Sequence, residues 1–336
     1  MLTPTESSTI RLLTPGNAGF EATVAVALGH DVAPDSPTAC RVGSGAIADL
    51  RAFGVTLRLA ARIEQPPHAP TCLALVESPG ATALLTACWE NLSSGQSSAA
   101  SEAVAACCGF AFDHGCRFVE LLLPPAHQPA SSMAAGGRAI HLTTLLYLRR
   151  SGTTIEPITS CAIPLTWHPY SQCKHELFLA ALERSYAQSM DCHELATLRT
   201  AEETLAGHRA AGPFDPGLWW VVLCDNEPVG VLLLCEIPRE RGLELVYVGV
   251  AQAARGTGVA DVMIDRAMGL ARDRGAKFVA LAVDARNIPA RRLYARRRFV
   301  EIGAKEVWIA LPDARHVRAA SLVRAGDSVV SAFHAL

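Results

Sequence analysis

The stretch Val248-Gly-Val-Ala-Gln-Ala-Ala-Arg-Gly-Thr-Gly-Val-Ala260 joins an apolar strand pattern to a helix pattern through a turn that holds two glycines. The first amides of a helix have no partner inside it, and the helix dipole adds partial positive charge there. Gly256 and Gly258 let the main chain approach a bulky anion, and Arg255 carries a full charge. Thr257, Val259 and Ala260 complete a run whose amides could line a diphosphate cradle. The run is neither the dinucleotide pattern G-x-G-x-x-G nor a P-loop, which requires G-K-[ST]. By itself R-G-x-G also fits a surface turn with an incidental arginine. Further on, Asn287-x-x-Ala290-x-x-Leu293-Tyr294 leads into Phe299 and supplies two more polar side chains after the next strand.

Such residues need a sheet and helices to hold them. Lys174 to Met190 places Leu177, Phe178, Ala181, Leu182 and Tyr186 at helical spacing on one face. A second helix is expected over Thr200 to Ala211, stopping at Gly212-Pro213. Strands are expected at Trp219–Cys224 and Val229–Ile237, joined by the turn chemistry of Asp225-Asn226-Glu227-Pro228. A strand over Glu244–Val250 follows, then a helix from Val259 to Arg274 with Gly275 as C-cap, and a strand over Phe278–Val283. A short helix around Ala290–Arg297 and a last strand, Val300–Leu311, complete the unit.

The chain repeats itself at an offset of 160 residues. Gly109 to Ala130 lies over Gly269 to Ala290 without a gap, with nine of 22 positions identical, among them Asp113/Asp273, Gly115/Gly275, Phe118/Phe278 and Pro129/Pro289. The same offset lays Thr71–Glu77 over Val231–Ile237 and Ile140–Arg150 over Val300–Ala310. Two copies of one α/β unit are the economical reading, with residues 1–150 as the first domain, 151–311 as the second and 312–336 as a tail. The polar stretch Arg150 to Thr154 marks the boundary.

Composition narrows the classes of function. Of 336 residues, half are hydrophobic and 18% charged, as in a globular chain with room for two cores. The richest apolar run, Val229–Cys235, is strand-sized, far short of the roughly 18 residues a membrane helix needs. With no basic start leading into an apolar segment, a cytoplasmic location is expected and no membrane partner. A net charge of −2 argues against nucleic acid as the partner. The eleven cysteines include no C-x-x-C pair and read as reduced, mostly buried small hydrophobes. His168, Cys173 and His175 are the tightest metal-like set but lack a second ligand pair, so no metal is expected.

Taken together, the strand ending in Val250, the run Arg255-x-x-Gly258-x-Ala260 and Asn287-x-x-Ala290-x-x-Leu293-Tyr294 resemble the GNAT superfamily of acetyl-CoA-dependent N-acetyltransferases. The resemblance covers residues 165–311; the first copy follows it only in layout. It implies an α/β (α+β) protein of two tandem GNAT-like domains, each a mixed central sheet flanked by helices. It also implies acetyl-CoA as co-substrate and an amine acceptor, either a small molecule or a peptide, served by a monomer or homodimer. Acetyl would pass to a primary amine by direct attack in a ternary complex. The alternative is a coenzyme-A-binding regulatory module without turnover.

The resemblance also assigns roles. Amides across Arg255–Ala260 would hold the coenzyme A diphosphate, and the main chain of Val248–Val250 would pair with the pantetheine arm at a splay in the sheet. The amide of Val250 would then face the thioester carbonyl. Asn287 would bond the arm from the opposite side, and Tyr294 would protonate the departing thiolate. Glu244 stands where protein-acetylating members carry a catalytic glutamate. A carboxylate between Leu243 and Leu245 would have its pKa raised by desolvation, as suits a base near neutral pH. Glu244 also fits a strand-edge carboxylate paired with a basic residue, and Glu236 or water could serve instead. Arg298 stands where the family usually has glycine, which puts the turn before Phe299 in question.

Arg291, Arg292, Arg296, Arg297 and Arg298 suit either a solvated helix face or contact with a 3′-phosphate. The loop Tyr186–Arg199, with Asp191, Cys192, His193 and Glu194, is placed to shape the acceptor site. An exposed turn capped by Asp191 explains those acidic groups equally well. In the first copy Arg255, Gly256 and Gly258 become Gly95, Gln96 and Ser98, while Glu244, Asn287 and Tyr294 become Leu84, His127 and Ala134. A degenerate first domain is expected, lacking the positive charge and the acid.

Overall fold

A computed structural model describes residues 8–64, 69–89, 92, 97–152, 160–196 and 198–313. The first unit runs β1 (Thr9–Leu13), α1 (Phe20–Ala27), α2 (Pro37–Ala52), β2 (Thr56–Glu64), β3 (Thr71–Ser78), β4 (Thr82–Ala87), α3 (Ser97–Asp113), β5 (Phe118–Leu123), α4 (Gln128–Gly136) and β6 (Ile140–Ser151). The second runs β7 (Thr166–Pro169), α5 (His175–Tyr186), α6 (His193–Ala196), α7 (Ala201–Arg209), β8 (Trp219–Cys224), β9 (Glu227–Ile237), β10 (Gly242–Val250), α8 (Val259–Asp273), β11 (Phe278–Asp284), α9 (Ile288–Arg296) and β12 (Val300–Ala310). The fold is mixed α/β with flanking helices, as the resemblance implied, but the two central sheets expected are joined into one large sheet. At the 160-residue offset α4 falls on α9, β5 on β11 and β6 on β12. Residues 153 and 154 of the boundary stretch, the loop Ser93–Gln96 and nearly all of the tail 312–336 lie outside the described residues.

Local chemistry explains the elements. Thr200 caps α7 through a capping box with Glu203, which satisfies two otherwise orphan amides. Asp225 and Asn226, at φ 50° and 64°, make the two-residue turn between β8 and β9. Gly275, at φ 62°, follows the last turn of α8 as expected. Around Phe178, Trp219, Leu232 and Met263 the second unit packs a core in which each fully buried side chain contributes roughly 1.5–3 kcal/mol.

The sheet has twelve strands in the order β1-β2-β3-β4-β5-β12-β6-β11-β10-β9-β8-β7. The last strand of each copy therefore lies in the other copy's half. Strand β12 pairs antiparallel with β5, β6 pairs with β11, and the two exchanged strands pair with each other. The sequence placed both strands but not their partners. Helix α7 also bridges the halves: Arg117 before β5 meets Glu203 at 2.7 Å, and a Cβ on Gly80 would stand 2.3 Å from the Glu203 carbonyl oxygen.

Candidate active site

Strand β10 opens the site. Its pairing with β9 skips a residue between Leu245 and Tyr247, a bulge at Val246. A bulge bends and twists the strand that carries it. With β11, β10 shares only two rungs, Leu243–Val279 and Glu244–Ala280, and beyond them the two strands part. The amide of Ala251 donates to Val229 on β9 at 2.9 Å. Successive amides along a strand alternate in direction. Those of Val248 and Val250 therefore point to the opposite, open side, where no strand among the described residues pairs with them.

At the mouth of this opening Gly256 and Gly258 sit at φ 81° and 92°, in the left-handed region that glycine enters without a Cβ penalty. Gly258 is the N-cap of α8 and brings no side-chain acceptor to its first amides. These donors and the helix dipole fit a diphosphate. The Arg255 side chain, however, turns from the loop. Its guanidinium donates to the carbonyls of Ser185, Ala187 and Gln188 at 3.1, 2.9 and 3.0 Å, and to Val250 at 3.2 Å. It ties the C-terminal end of α5 to β10, where cations suit the helix dipole. The loop thus offers an anion main-chain amides and not this guanidinium.

The downstream motif lies beside the opening. Asn287 caps α9, its Oδ1 accepting from Ala290 N at 3.2 Å, which leaves the side-chain NH2 as donor. Tyr294 is buried to 5% exposure, and its hydroxyl has no partner among the described residues. Burial, with the charge of Asp191 nearby, raises the phenol pKa, so it is a proton donor near neutral pH. Glu244 sits on the last paired rung, and burial raises its carboxyl above the usual range. No described residue pairs with it; Glu236 bonds Arg274 at 2.8 Å instead. Arg298 takes φ 58°, so the turn before Phe299 keeps the shape a glycine would give, with an arginine in it.

The loop after α5 is not an exposed turn. Asp191 accepts from the Asp284 amide at 3.3 Å, and burial raises its carboxyl. Asp284, fully buried at the end of β11, accepts from Thr143 at 2.6 Å, Cys192 N at 3.2 Å and Arg286 at 2.7 Å. Burial pushes its pKa up, but the donors outweigh that and hold it at about 2. Glu194 is taken by Arg286 at 2.6 Å, and the His193 side chain lies outside the described residues. Tyr186, Tyr247 and His208 stack beside the opening with centroids 5.0 and 5.1 Å apart. Burial and then the Arg199 charge lower the His208 pKa to about 3, so it is uncharged. Sequence reading missed this stack because its members come from three elements.

The arginine run divides. Arg296 pairs with Asp261 and Arg297 with Asp265, while Arg291 and Arg292 line a groove of about 400 Å³ with Leu146, Ile288 and Phe299. His175 is engaged by Tyr170 at 2.9 Å and Glu202 at 2.8 Å, and among the described residues no three His, Cys, Asp or Glu gather as metal ligands. No described helix is long and apolar enough to cross a membrane.

Residues 179–299 match the acetyltransferase (GNAT) family. Mycothiol acetyltransferase of Beutenbergia cavernae is 35% identical over 92 residues, which are 26% of this chain and 30% of that protein, so the match spans under a third of that relative's length. A GCN5-related N-acetyltransferase from Sphaerobacter thermophilus superposes with TM-score 0.61 at 16% identity, over 90% of this chain and 95% of that one. A tandem GNAT protein from the clavulanic acid biosynthesis pathway superposes with TM-score 0.52 at 14% identity, over 91% of this chain and all of that one, 100%. These last two likenesses speak for the fold, in one case with the tandem layout. Residues 179–299, and with them the opening between β10 and β11, belong to the acetyltransferase (GNAT) family.

Proposed function

We propose that this chain transfers the acetyl group of acetyl-CoA to a primary amine by direct attack in a ternary complex, in the second unit alone. The observation that carries the reading is the opening after the Glu244–Ala280 rung, with unpaired amides along β10 and the uncapped start of α8 at its mouth. Amides from Arg255 to Ala260 hold the diphosphate, and Val250 and Asn287 hold the arm. A strand rises about 3.3 Å per residue, so Val250 lies some 20 Å along β10 from Glu244 and Val248 about 13 Å. A base must reach the reacting amine directly or through one water. The amide of Val248, on the same open side, is therefore the better oxyanion donor, and Val250 serves the arm.

Glu244 takes a proton from the amine, whose lone pair forms the new C–N bond at the thioester carbonyl. Charge develops on the carbonyl oxygen, facing the Val248 amide. As the C–S bond breaks, Tyr294 gives its proton to the sulfur, and amide and thiol result.

Two measurements test this. Acetyl-CoA should raise the melting temperature, since a ligand that binds only the folded chain stabilises it. A panel of amines with thiol detection should yield at least one acceptor, and Tyr294→Phe should slow thiol release while the acetyl-CoA shift persists. A shift without thiol release from any amine would favour a coenzyme-binding regulator over an enzyme.

A further inference from the structure

At the two strand ends of the opening, one segment engages both inner edges. On β10 the carbonyl of Val250 points the same way as its amide, into the opening, and accepts from the Arg255 guanidinium at 3.2 Å. On β11 the amide of Ala285 donates to Thr144 at 2.8 Å, on the β6 side. The amide of Asp284 therefore turns the other way, into the opening, where it donates to the Asp191 carboxylate at 3.3 Å.

Each end is fastened more than once. Arg255 also holds the carbonyls of Ser185, Ala187 and Gln188, and the Gln188 side chain accepts from Gln252 at 2.6 Å. On the β11 side the Cys192 amide donates to Asp284 at 3.2 Å, and Glu194 pairs with Arg286 at 2.6 Å. The crossing between them is short. From Gln188 to Asp191 the chain advances three residues, at most about 11 Å. Gln188 and Cys192, one at each anchorage, take φ 53° and 43°, in the left-handed region that side chains with a Cβ rarely enter. The bonds at both ends thus hold closed a segment whose own backbone favours release. Such segments belong to the low-stability end of a fold, where local opening precedes global unfolding.

We propose that residues 185–194 form a strap over the coenzyme opening, with Arg255 and Glu194 as positioning residues that keep it closed from the β10 and β11 sides. This rests on the function proposed above, which lays the coenzyme arm in that opening. Entry and departure of the coenzyme both wait for the strap to open, as with other lids over active sites. Its bonds are to the protein's own walls and not to the coenzyme. Weakening a clasp therefore speeds both rates by one factor and leaves their ratio, the Kd, in place. A side chain that bound the diphosphate would behave differently, since its loss acts mainly on departure.

The test measures acetyl-CoA association and dissociation rates on the immobilised full chain by surface plasmon resonance, for the parent, Arg255→Gln and Glu194→Gln. Each variant should raise both rates at least fivefold and keep Kd within twofold. Hydrogen exchange of the free chains should quicken over residues 187–192 in each variant and stay unchanged in β8 and β9, which reports that the fold is kept. A tenfold weaker Kd in Arg255→Gln, arising from dissociation alone, would make Arg255 a diphosphate ligand and overturn the strap. Rates that stay at the parent's values in either variant overturn it as well. A parent that does not bind acetyl-CoA would instead overturn the coenzyme reading, and the two failures are separable.

Discussion

The β4/β5 and β10/β11 pairs are the same part of one repeating unit, yet they differ in how far their strands stay paired. In the first unit β4 pairs regularly with β3 and shares four rungs with β5, Thr82–Phe118 to Leu85–Leu121. In the second, the bulge at Val246 bends β10, and only two rungs with β11 remain. The strand with the extra residue thus keeps two rungs fewer with its neighbour than its counterpart does. The caps teach the complementary lesson. His127 caps α4 through its Nδ1, and Asn287 caps α9 through its Oδ1. The structural task has survived in both copies, while the spare NH2 belongs to Asn287 alone.

The largest expected effect separates the two rungs. Glu244→Gln should cut kcat/KM by about 10²–10⁴, the usual contribution of a general base. In the parent, activity should rise with pH through a value above the ordinary glutamate range, because the base must be ionised and its pKa is raised by burial. The stability sign is opposite. A raised folded-state pKa gives stability that is present below the unfolded value and lost as pH rises through the folded one. The Gln variant should therefore melt higher than the parent at neutral pH, and denaturation of both across pH checks this.

Next comes Asp284, which fastens the loop beside the opening. Asp284→Asn should lower stability on the order of 2 kcal/mol at neutral pH, by weakening the hydrogen bonds that Thr143, the Cys192 amide and the half-exposed Arg286 give to a buried carboxylate. In the parent that contribution is present above the unfolded aspartate value and is lost as pH falls through about 2. The matched caps give a smaller effect. His127→Ala and Asn287→Ala should each cost about 1 kcal/mol of stability, but only the second should weaken acetyl-CoA in titration. Smallest is the pair of left-handed arginines, Arg138 at φ 69° and Arg298 at φ 58°, one in each copy. Glycine at either position should change stability by no more than about 1 kcal/mol, measured by denaturant unfolding.

Much of this was legible in the chain. Helical periodicity, the Asp225-Asn226 turn and the glycine pair at 256 and 258 are local signals, and the elements formed where they pointed. The exchange of β6 and β12 was not, because a strand's periodicity says which faces it has and nothing about its neighbour. The Arg255 side chain is a similar case: its charge was plain, but the α5 carbonyls it holds come from residues 67–70 earlier.

The central claim is that one coenzyme site exists and that the β10 bulge makes it. Calorimetric titration of the chain with acetyl-CoA, coupled to hydrogen exchange, tests it most directly. The account predicts one molecule bound per chain, with protection gained over residues 248–260. Two molecules per chain, or protection centred on residues 82–87 and 118–123, would contradict it.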